Sequence, residues 1–299
     1  MSYTTPAAFK QALEVRLRAE AAATRRDLAR VRQLLVFERF LSRVFAAFGE
    51  SVVLKGGVVL ELRLARARTT RDIDLRASGD PEKILAKLRE ACALDSGDWL
   101  QFLVRPDATH PEMKGDGVVC DGRRFRVEAQ LAGRLYGTAF GVDVAMGDPI
   151  HGAVEEIHGS DRLAFIGAPR PAFRVYPRET HIAEKLHAYT LPRVGENSRV
   201  KDLPDLVLLA QTGPMRADAI RAALRTTFDF RATHAVPSAL PSPPAAWAPV
   251  YERIARVDDL RWKSLDELSD AVRAFLDPVL ASMPDAIEWS PAEWAWRAG

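Results

Sequence analysis

Residues 51–77 constrain the fold most, because this short segment combines two strand patterns, a glycine pair and a helix pattern. An apolar run at its start predicts a strand, and Gly56 and Gly57 follow it as a turn. Apolar residues recur at helical spacing over 58–66, and residues 71–75 alternate polar and apolar side chains. The segment therefore predicts a strand, a glycine turn, a helix and a second strand.

Two acidic residues of the second predicted strand point to a bound cation. Asp72 and Asp74 lie two positions apart, so their side chains share one face of the strand. Neighbouring carboxylates repel each other, and a divalent cation is the usual partner that holds them together. The turn at Gly56 and Gly57 reaches the same edge, where its N–H groups suit an anion. A metal ion beside a phosphate site predicts nucleotide chemistry.

Composition excludes several other classes of protein. The chain has 299 residues, enough for one large domain or two ordinary ones. Its formal net charge is only +2, so any surface for nucleic acid has to be local. Cys92 and Cys120 lack metal-ligand spacing, which predicts a reducing cytoplasm without a disulfide framework. With no long apolar run and no signal-peptide pattern, we expect neither membrane insertion nor secretion.

Helical patterns lie on both sides of the central strands. Residues 7–24 and 27–48 predict two leading helices, the second with a wide apolar stripe. Later helices are predicted from Glu179, from Arg199 and over residues 264–280. The chain thus predicts a sheet with helices before and after it.

Three further patterns occupy the C-terminal third. Residues 215–224 predict a helix, with irregular structure over 226–231, and five prolines within 237–249 predict a rigid crossing segment. Tryptophan rings near the terminus either dock it onto the body or stack on nucleobases, and we expect docking. These tryptophans are Trp289, Trp294 and Trp296.

Three candidate site residues lie beyond the opening segment. Asp143 lies between two valines on a predicted strand, where an acidic residue needs a cation or hydrogen bonds, unless it only caps a turn. On the simplest interpretation, Lys185 is a solvated surface lysine. Asp202 lies near a predicted helix start, where its negative charge interacts favourably with the helix dipole. Asp205 is three residues further and lies on nearly the same helix face.

Taken together, the ordered motifs resemble the AbiEii-type nucleotidyltransferases, the toxin family that includes the mycobacterial MenT proteins. The resemblance covers roughly residues 25 to 280. It rests on LKGG at 54–57, R-x-T-x-D-I-D-L from Arg68, VDV at 142–144, A-E-K-L-H-A around Lys185, R-x-K-D-x-x-D from Arg199, T-F-x-x-R-x-T-H from Thr227, and the proline-rich stretch ending at Trp247. The glycine pair alone is weak evidence, whereas the ordered set is specific.

The resemblance implies an α+β fold, namely a DNA polymerase β-like nucleotidyltransferase core with a mixed sheet flanked by helices, and helical N- and C-terminal parts. We accordingly expect an N-terminal nucleotidyltransferase domain at residues 1–175, which includes the leading helices. A mainly helical domain at 176–299 is expected to complete the active site.

The resemblance also implies roles for individual residues. The implied catalytic residues are Asp72, Asp74, Lys185 and Asp202, the nucleotide-binding residues are Lys55, Gly56, Gly57, Thr70 and Lys185, and the Mg²⁺ ligands are Asp72, Asp74 and Asp143. Either Asp202 or Asp205 is the later catalytic aspartate. The wider superfamily has Gly-Ser where this chain has Gly-Gly, so a hydroxyl contact to phosphate has to come from another residue such as Thr70.

The implied activity is Mg²⁺-dependent transfer of a nucleoside monophosphate from an NTP to RNA. The expected acceptor is the 3′ end of tRNA, whose modification blocks translation, and the expected protein partner is a cognate antitoxin. An arginine cluster beside the site either grips an RNA backbone or is the solvated edge of a helix. Its members are Arg63, Arg66, Arg68 and Arg71. Two alternatives are a protein-modifying transferase (AMPylation or phosphorylation) on the same core, and an inactive binding module with a structural ion.

Overall fold

The computed structural model describes residues 3–112, 122–193, 195, 197–281, 284 and 287–298. Cys120 lies outside the described residues, and Cys92 is a free, half-buried thiol. The α-helices of the described part are α1 (Pro6–Thr24), α2 (Leu28–Phe48), α3 (Gly56–Arg63), α4 (Ile84–Ala93), α5 (Arg178–Thr190), α6 (Asp202–Ala210), α7 (Ala217–Arg231), α8 (Ala248–Val257) and α9 (Leu265–Leu280). The strands are β1 (Val52–Lys55), β2 (Ile73–Ala77), β3 (Gln101–Pro106), β4 (Gly122–Leu131), β5 (Arg134–Leu135), β6 (Phe140–Met146), β7 (Glu155–His158), β8 (Ala172–Val175), β9 (Met215–Arg216), β10 (Ile287–Ser290) and β11 (Ala295–Ala298).

The strands form a central mixed sheet and a small C-terminal sheet. The central sheet has the order β3-β4-β6-β2-β1-β8-β7, with β5 paired to β4, and the small sheet has the order β11-β10-β9. β2 is parallel to β6 and β1 is parallel to β8, whereas the other neighbours in the central sheet are antiparallel. The predicted α+β architecture, a mixed sheet flanked by helices, is confirmed.

The helix boundaries follow from local capping chemistry. The Thr5 side chain caps α1, which Pro6 opens, and Asp27 caps α2 by accepting a backbone hydrogen bond of 3.0 Å. Ser264 and Glu267 form a reciprocal capping box at the start of α9. These short-range interactions explain why the starts of the first two helices and of the last one lie within one residue of their predicted positions.

A first hydrophobic core lies between the central sheet and helices α1, α2 and α4. Phe37 and Phe40 of α2 pack edge-on against Phe140 of β6, with ring centroids 5.0 and 5.5 Å apart. The apolar stripe of α2 therefore faces the sheet, as its sequence pattern requires. None of the described helices is long and apolar enough to cross a membrane.

A second hydrophobic core joins helices α5 to α9 with the C-terminal strands. Trp289 is fully buried, and its indole N–H donates to the Ala210 carbonyl at 2.9 Å. The indoles of Trp294 and Trp296 donate to carbonyls of α9. The expectation that the tail docks onto the body is confirmed, with the added feature that the tail forms a β-hairpin.

Two local predictions about secondary structure are wrong. The irregular segment predicted at 226–231 belongs to α7, because Thr227 and Phe228 are buried on the same side as Ile220 and Leu224. Packing of that face outweighs the weak helix propensity of the neighbouring threonines. Strand β2 begins at Ile73, so the preceding aspartate flanks the strand instead of lying within it.

Replacement of Trp289 by alanine tests the docked tail. We expect Trp289→Ala to lower the free energy of unfolding by about 3–5 kcal/mol, because it leaves a large cavity and an unpaired carbonyl. Trp99→Ala is the control, since Trp99 is 41% exposed and its loss should cost less than about 1 kcal/mol. Urea denaturation measures both values, and equal effects would contradict a docked tail.

Candidate active site

Four charged residues line up across four adjacent strands at one edge of the central sheet. Asp74 of β2 lies in register with Lys55 of β1 on one side and with Asp143 of β6 on the other. Asp143 in turn lies opposite Arg124 of β4. The sheet thus places two carboxylates side by side between two cations, and we call these four residues the charged row.

Asp72 lies at the same edge, one residue before β2. Its Oδ1 accepts a hydrogen bond from the N–H of Gly141 at 3.1 Å, and its side chain is exposed. A Cβ atom added at Gly141 would lie 2.6 Å from this oxygen, so only glycine allows the close approach. The sheet therefore fixes Asp72 beside the charged row, as the sequence predicts.

Asp74 is a half-buried carboxylate without a hydrogen-bond donor among the described residues. Burial, together with the negative charge of Asp143 and then of Asp72, raises the pKa of Asp74 to about 6. Lys185 and Lys55 oppose this increase only in part. A cation bound beside Asp74 would therefore reduce the electrostatic repulsion between this carboxylate and its acidic neighbours.

The glycine pair lies directly against this carboxylate. Gly56 has φ +72°, and a Cβ atom at this position would lie 1.9 Å from Asp74 Oδ2. Gly57 faces Thr70, whose side chain a Cβ atom would meet at 2.9 Å. Helix α3 begins at Gly56, and no side chain caps it. Its first N–H groups are therefore open to an anion next to Asp74.

Asp143 is held differently from the other two aspartates. Arg124 donates Nε to Asp143 Oδ1 and Nη2 to Asp143 Oδ2, both at 2.7 Å. This bidentate pair raises the pKa of Arg124, and 38% of the arginine side chain is exposed. Asp143 lies where the sequence predicts it, but both of its oxygens are occupied by Arg124.

The residues at this edge fit a magnesium ion shared with a phosphate ligand. Among the described residues, no group of three or more His, Cys, Asp or Glu side chains is arranged to hold a metal ion. Asp72 and Asp74 nevertheless offer carboxylate oxygens beside the open N-terminus of α3. Mg²⁺ is usually coordinated by one or two carboxylates together with substrate phosphates, and this set of donor groups matches that coordination.

Lys55, predicted to bind nucleotide, is engaged in a second charge cluster. Its Nζ lies 3.0 Å from Asp148 Oδ2 and 2.9 Å from Glu184 Oε2, and Arg231 lies within 3.6 Å of both carboxylates. Burial lowers the pKa of Lys55, but these carboxylates and the ring of Tyr176 raise it well above its ordinary value. Lys55 is therefore a permanently charged neighbour of Asp74 that is not free to move.

Lys185 joins the two later aspartates in a buried network with Arg68. Its Nζ lies 2.8 Å from Asp202 Oδ1 and 2.9 Å from Asp205 Oδ2. Arg68 binds Asp205 through two hydrogen bonds of 2.6 and 2.7 Å. Burial alone would raise the pKa of Asp205, yet the two cations lower it to about 2. The simple interpretation of Lys185 as a solvated surface lysine is wrong.

The two aspartates of this network differ in their partners. Asp205 is completely buried and serves two cations, which is the pattern of a structural counter-ion. Asp202 serves only Lys185, and its Oδ2 is buried without a hydrogen-bond partner in the described part of the chain. Of the two, Asp202 retains acceptor capacity for a further group.

The four arginines predicted to cluster beside the site separate into two kinds. Arg63 binds Glu155 of β7 at 3.0 Å, and Arg68 is buried in the network with Asp205. Arg66 and Arg71 are exposed. Thr70 is buried as well, with its hydroxyl 3.4 Å from the carbonyl of Asp72. Only Arg66 and Arg71 of the predicted arginine cluster present their charge to solvent.

Several site residues escaped the sequence analysis. Arg124 becomes recognisable only when the strand order places it opposite Asp143, because the two are 19 positions apart. Asp148, Glu184 and Arg231 likewise come from three separate segments that the fold brings to Lys55. A sequence signal existed for Arg231, which is the arginine of the T-F-x-x-R-x-T-H segment.

Gly56→Ala tests the close approach between the glycine turn and Asp74. The matched control is Gly133→Ala, because Gly133 has φ +70° and nothing lies near its added Cβ. Both changes should cost about 1 kcal/mol of stability through backbone strain. Gly56→Ala should in addition displace the Asp74 carboxylate and abolish NTP binding, as measured by calorimetry. NTP binding of Gly56→Ala at the level of the control would contradict the arrangement.

Asp205→Asn and Asp202→Asn test which of the two aspartates stabilises the buried network. Asp205→Asn should lower the free energy of unfolding by about 3 kcal/mol or more, because Arg68 and Lys185 lose their shared anion. Asp202→Asn keeps the Asp205 contacts and should cost clearly less.

The pH dependence of unfolding provides a second measurement. The folded-state pKa of Asp205 is depressed from 3.8 to about 2, so its stabilisation is present above pH 4 and is lost between about pH 4 and 2. The difference in the free energy of unfolding between wild type and Asp205→Asn should therefore shrink as the pH falls through that window. A constant difference across it, or a larger loss in Asp202→Asn at neutral pH, would contradict this assignment.

Comparisons with known proteins show what this chain is similar to. The family profile described as "Nucleotidyl transferase AbiEii toxin, Type IV TA system" matches residues 39–298. MenT4, a nucleotidyltransferase toxin from Mycobacterium tuberculosis H37Rv, is similar at 18% identity over 86% of this chain and 94% of its own, with a TM-score of 0.48. JHP933 from Helicobacter pylori is similar at 15% identity over 83% of this chain and 93% of its own, with a TM-score of 0.45.

A search of curated protein sequences finds no match. The matched region, by contrast, covers the second hydrophobic core and most of the first, and it includes the charged row, the glycine pair and the Lys185 network. It also confirms the resemblance inferred from the ordered motifs. The chain belongs to the AbiEii family of nucleotidyltransferase toxins from type IV toxin–antitoxin systems.

Proposed function

We propose that the protein moves a nucleoside monophosphate from an NTP to the 3′ end of an RNA in a Mg²⁺-dependent reaction. The acceptor we propose is tRNA, whose modification would stop translation, and a cognate antitoxin would restrain the toxin. One observation carries the metal and nucleotide part of this proposal. Within the part of the chain that the structure describes, Asp74 has no hydrogen-bond donor, its pKa is raised, and it lies against the uncapped N-terminus of α3.

The residues of the site would divide the work of binding the NTP. Asp72 and Asp74 would hold Mg²⁺, and the first N–H groups of α3 at Gly56 and Gly57 would bind phosphate oxygens. When bound there, Mg²⁺ would neutralise charge on the attacking and leaving oxygens. In the reaction, the acceptor hydroxyl would form a bond to the α-phosphorus, and the bond to the departing pyrophosphate would break.

The flanking cations would act on the site mainly through their electrostatic field, and less through direct contacts with the substrate. Lys55 and Lys185 are each held by two carboxylates, so their charges are fixed close to Asp74. Both lower the pKa of Asp74 and therefore favour its ionised form, the form that binds a metal. Phosphoryl transfer depends mainly on positioning and charge stabilisation, which such a rigid set of groups would provide.

Arg124 adds a condition to the predicted role of Asp143. A carboxylate whose two oxygens both accept hydrogen bonds from one guanidinium is a poor metal ligand and a poor base. Asp143 would act as the third ligand only after Arg124 moves to another anion, such as a substrate phosphate. The partly exposed arginine side chain is compatible with such a movement.

We also propose that the chain divides into a nucleotidyltransferase domain at 1–175 and a helical domain at 176–299. The residues of the first hydrophobic core all precede Tyr176, and those of the second core begin at Ile182 apart from Leu60. Lys185 and Asp202 would then be the contribution of the second domain to the active site.

Asp72→Asn and Asp74→Asn test the proposed reaction. Purified protein is incubated with Mg²⁺, each α-labelled NTP in turn and deproteinised total RNA. Wild type should label RNA, and each variant should lose at least about 100-fold in rate, because amides bind Mg²⁺ far more weakly than carboxylates do. Asp95→Asn, a change at an exposed turn, is the control and should keep full activity.

The distribution of label separates the alternatives. Label in protein and none in RNA would favour a protein-modifying transferase on the same core. Full activity of Asp72→Asn would overturn the assignment of the metal site. No label in any acceptor would contradict the proposed reaction.

A further inference from the structure

We infer that the helical hairpin formed by α1 and α2 is the surface that binds the backbone of the acceptor RNA next to Asp72. This inference rests on the proposed function and names where its second substrate is held. The family profile begins at residue 39, so α1 and the first half of α2 lie outside the matched region. The surface is therefore a feature of this chain that the family match does not supply.

Positive charge is concentrated in this hairpin. Residues 6–32 contain seven arginine and lysine residues and three acidic residues, although the whole chain has a net charge of only +2. The basic residues are Lys10, Arg16, Arg18, Arg25, Arg26, Arg30 and Arg32. A local basic surface on a nearly neutral protein favours a polyanionic ligand at that surface.

The turn of the hairpin is attached to the loop that leads into Asp72. Arg26 donates a hydrogen bond to the carbonyl of Ala65, and Arg30 donates to the carbonyl of Thr70 at 2.8 Å. Arg30 also pairs with Glu61 of α3, which accepts a hydrogen bond from the Thr70 N–H at 2.9 Å. Arg30, near the start of α2, therefore binds this loop two residues before Asp72.

The second turn of α2 is attached to the strand on the other side of Asp72. Gln33 accepts a hydrogen bond from the Thr138 N–H at 2.8 Å, and its amide donates to the Thr138 carbonyl at 3.2 Å. Thr138 lies three residues before Gly141, whose N–H binds Asp72. Both backbone segments that frame Asp72 are thus fixed to the same two turns of α2.

Two basic clefts flank these turns. A cleft of about 430 Å³ is lined by Lys10, Arg18 and Arg32, with Glu14 bound to Arg32 at 2.6 Å. A smaller cleft of about 140 Å³ has four arginines and three acidic residues in its lining, namely Arg25, Arg26, Arg30, Arg66, Asp27, Glu61 and Asp258. Within the described part of the chain, Lys10, Arg18, Arg25 and Arg66 form no ion pair, so their charges are free to meet phosphates.

The chemistry of this surface favours RNA over the other ligands of the reaction. The NTP phosphates are assigned to the N-terminus of α3, on the inner side of Asp74. A docking surface for a protein would need a central apolar patch, whereas both clefts are lined mainly by charged and polar side chains. Basic side chains on a hairpin that is attached to the segments framing Asp72 suit a phosphate backbone.

Charge reversal in the second half of α1 and at its C-cap tests the inference. Arg18→Glu and Arg25→Glu change exposed residues that form no ion pair within the described part of the chain. Lys83→Glu is the control at an exposed site, where the pair with Asp80 at 3.7 Å contributes little to stability. Lys83 follows the end of β2 that is distant from Asp72, and its side chain is 77% exposed. Incorporation of α-labelled NTP is measured with deproteinised total tRNA as the acceptor, over a range of salt concentrations.

Each hairpin variant should raise the KM for tRNA about three- to tenfold, while kcat and the KM for the NTP stay unchanged. The dependence of log KM on log salt concentration should become shallower by about one unit for each lost phosphate contact. Lys83→Glu should match wild type in all of these values. The free energy of unfolding should be unchanged in all three variants.

The outcomes separate this inference from the proposed function. No RNA labelling by wild type would overturn the proposed function itself. RNA labelling with the same tRNA KM in wild type and both hairpin variants would overturn only the inferred surface. A change in kcat or in the KM for the NTP, at a constant KM for tRNA, would assign the hairpin to the nucleotide site and would also overturn it.

Discussion

Asp74 and Asp143 lie side by side, in register, on two parallel strands in the middle of the central sheet. Two carboxylates in such positions repel each other, and burial makes the repulsion stronger because water no longer screens it. The fold offsets this repulsion with positive charge, because Lys55 lies on one side of the pair and Arg124 on the other. Lys185, in its buried network with Asp202, Asp205 and Arg68, adds a further positive charge near Asp74. Among the described residues, the Asp74 carboxylate accepts no hydrogen bond, whereas that of Asp72 accepts one from Gly141 and that of Asp143 accepts two from Arg124.

The same constraint explains why the glycines occur where they do. Gly56 and Gly141 allow the backbone to approach the carboxylates of Asp74 and Asp72 more closely than any side chain would permit. The cations around the site are nearly all held by paired carboxylates, so little of this charge is free to move. Arg124 is the partly exposed exception, and it binds both oxygens of Asp143.

The sequence predicted those parts of the site that depend on neighbours along the chain. Asp72, Asp74, Gly56 and Gly57 lie in one segment, and strand periodicity with turn chemistry places them together. Arg124 and Glu184 were missed, because their roles depend on strand order and helix packing. Arg68 was grouped with surface arginines on spacing alone, whereas the fold buries it against Asp205, 137 residues later. In the same way, tertiary packing of Phe228 turned a segment of poor helix formers into the end of α7.

The central claim is that a metal ion and a triphosphate meet where Asp72 and Asp74 face the start of α3. A crystal structure with Mg²⁺ and an NTP analogue whose α,β-bridging oxygen is replaced by a methylene group tests it most directly. We expect the metal on Asp72 and Asp74, phosphate oxygens on the N–H groups of Gly56 and Gly57, and Lys185 still bound to Asp202 and Asp205. A nucleotide bound elsewhere, with Asp74 free of metal, would contradict the account.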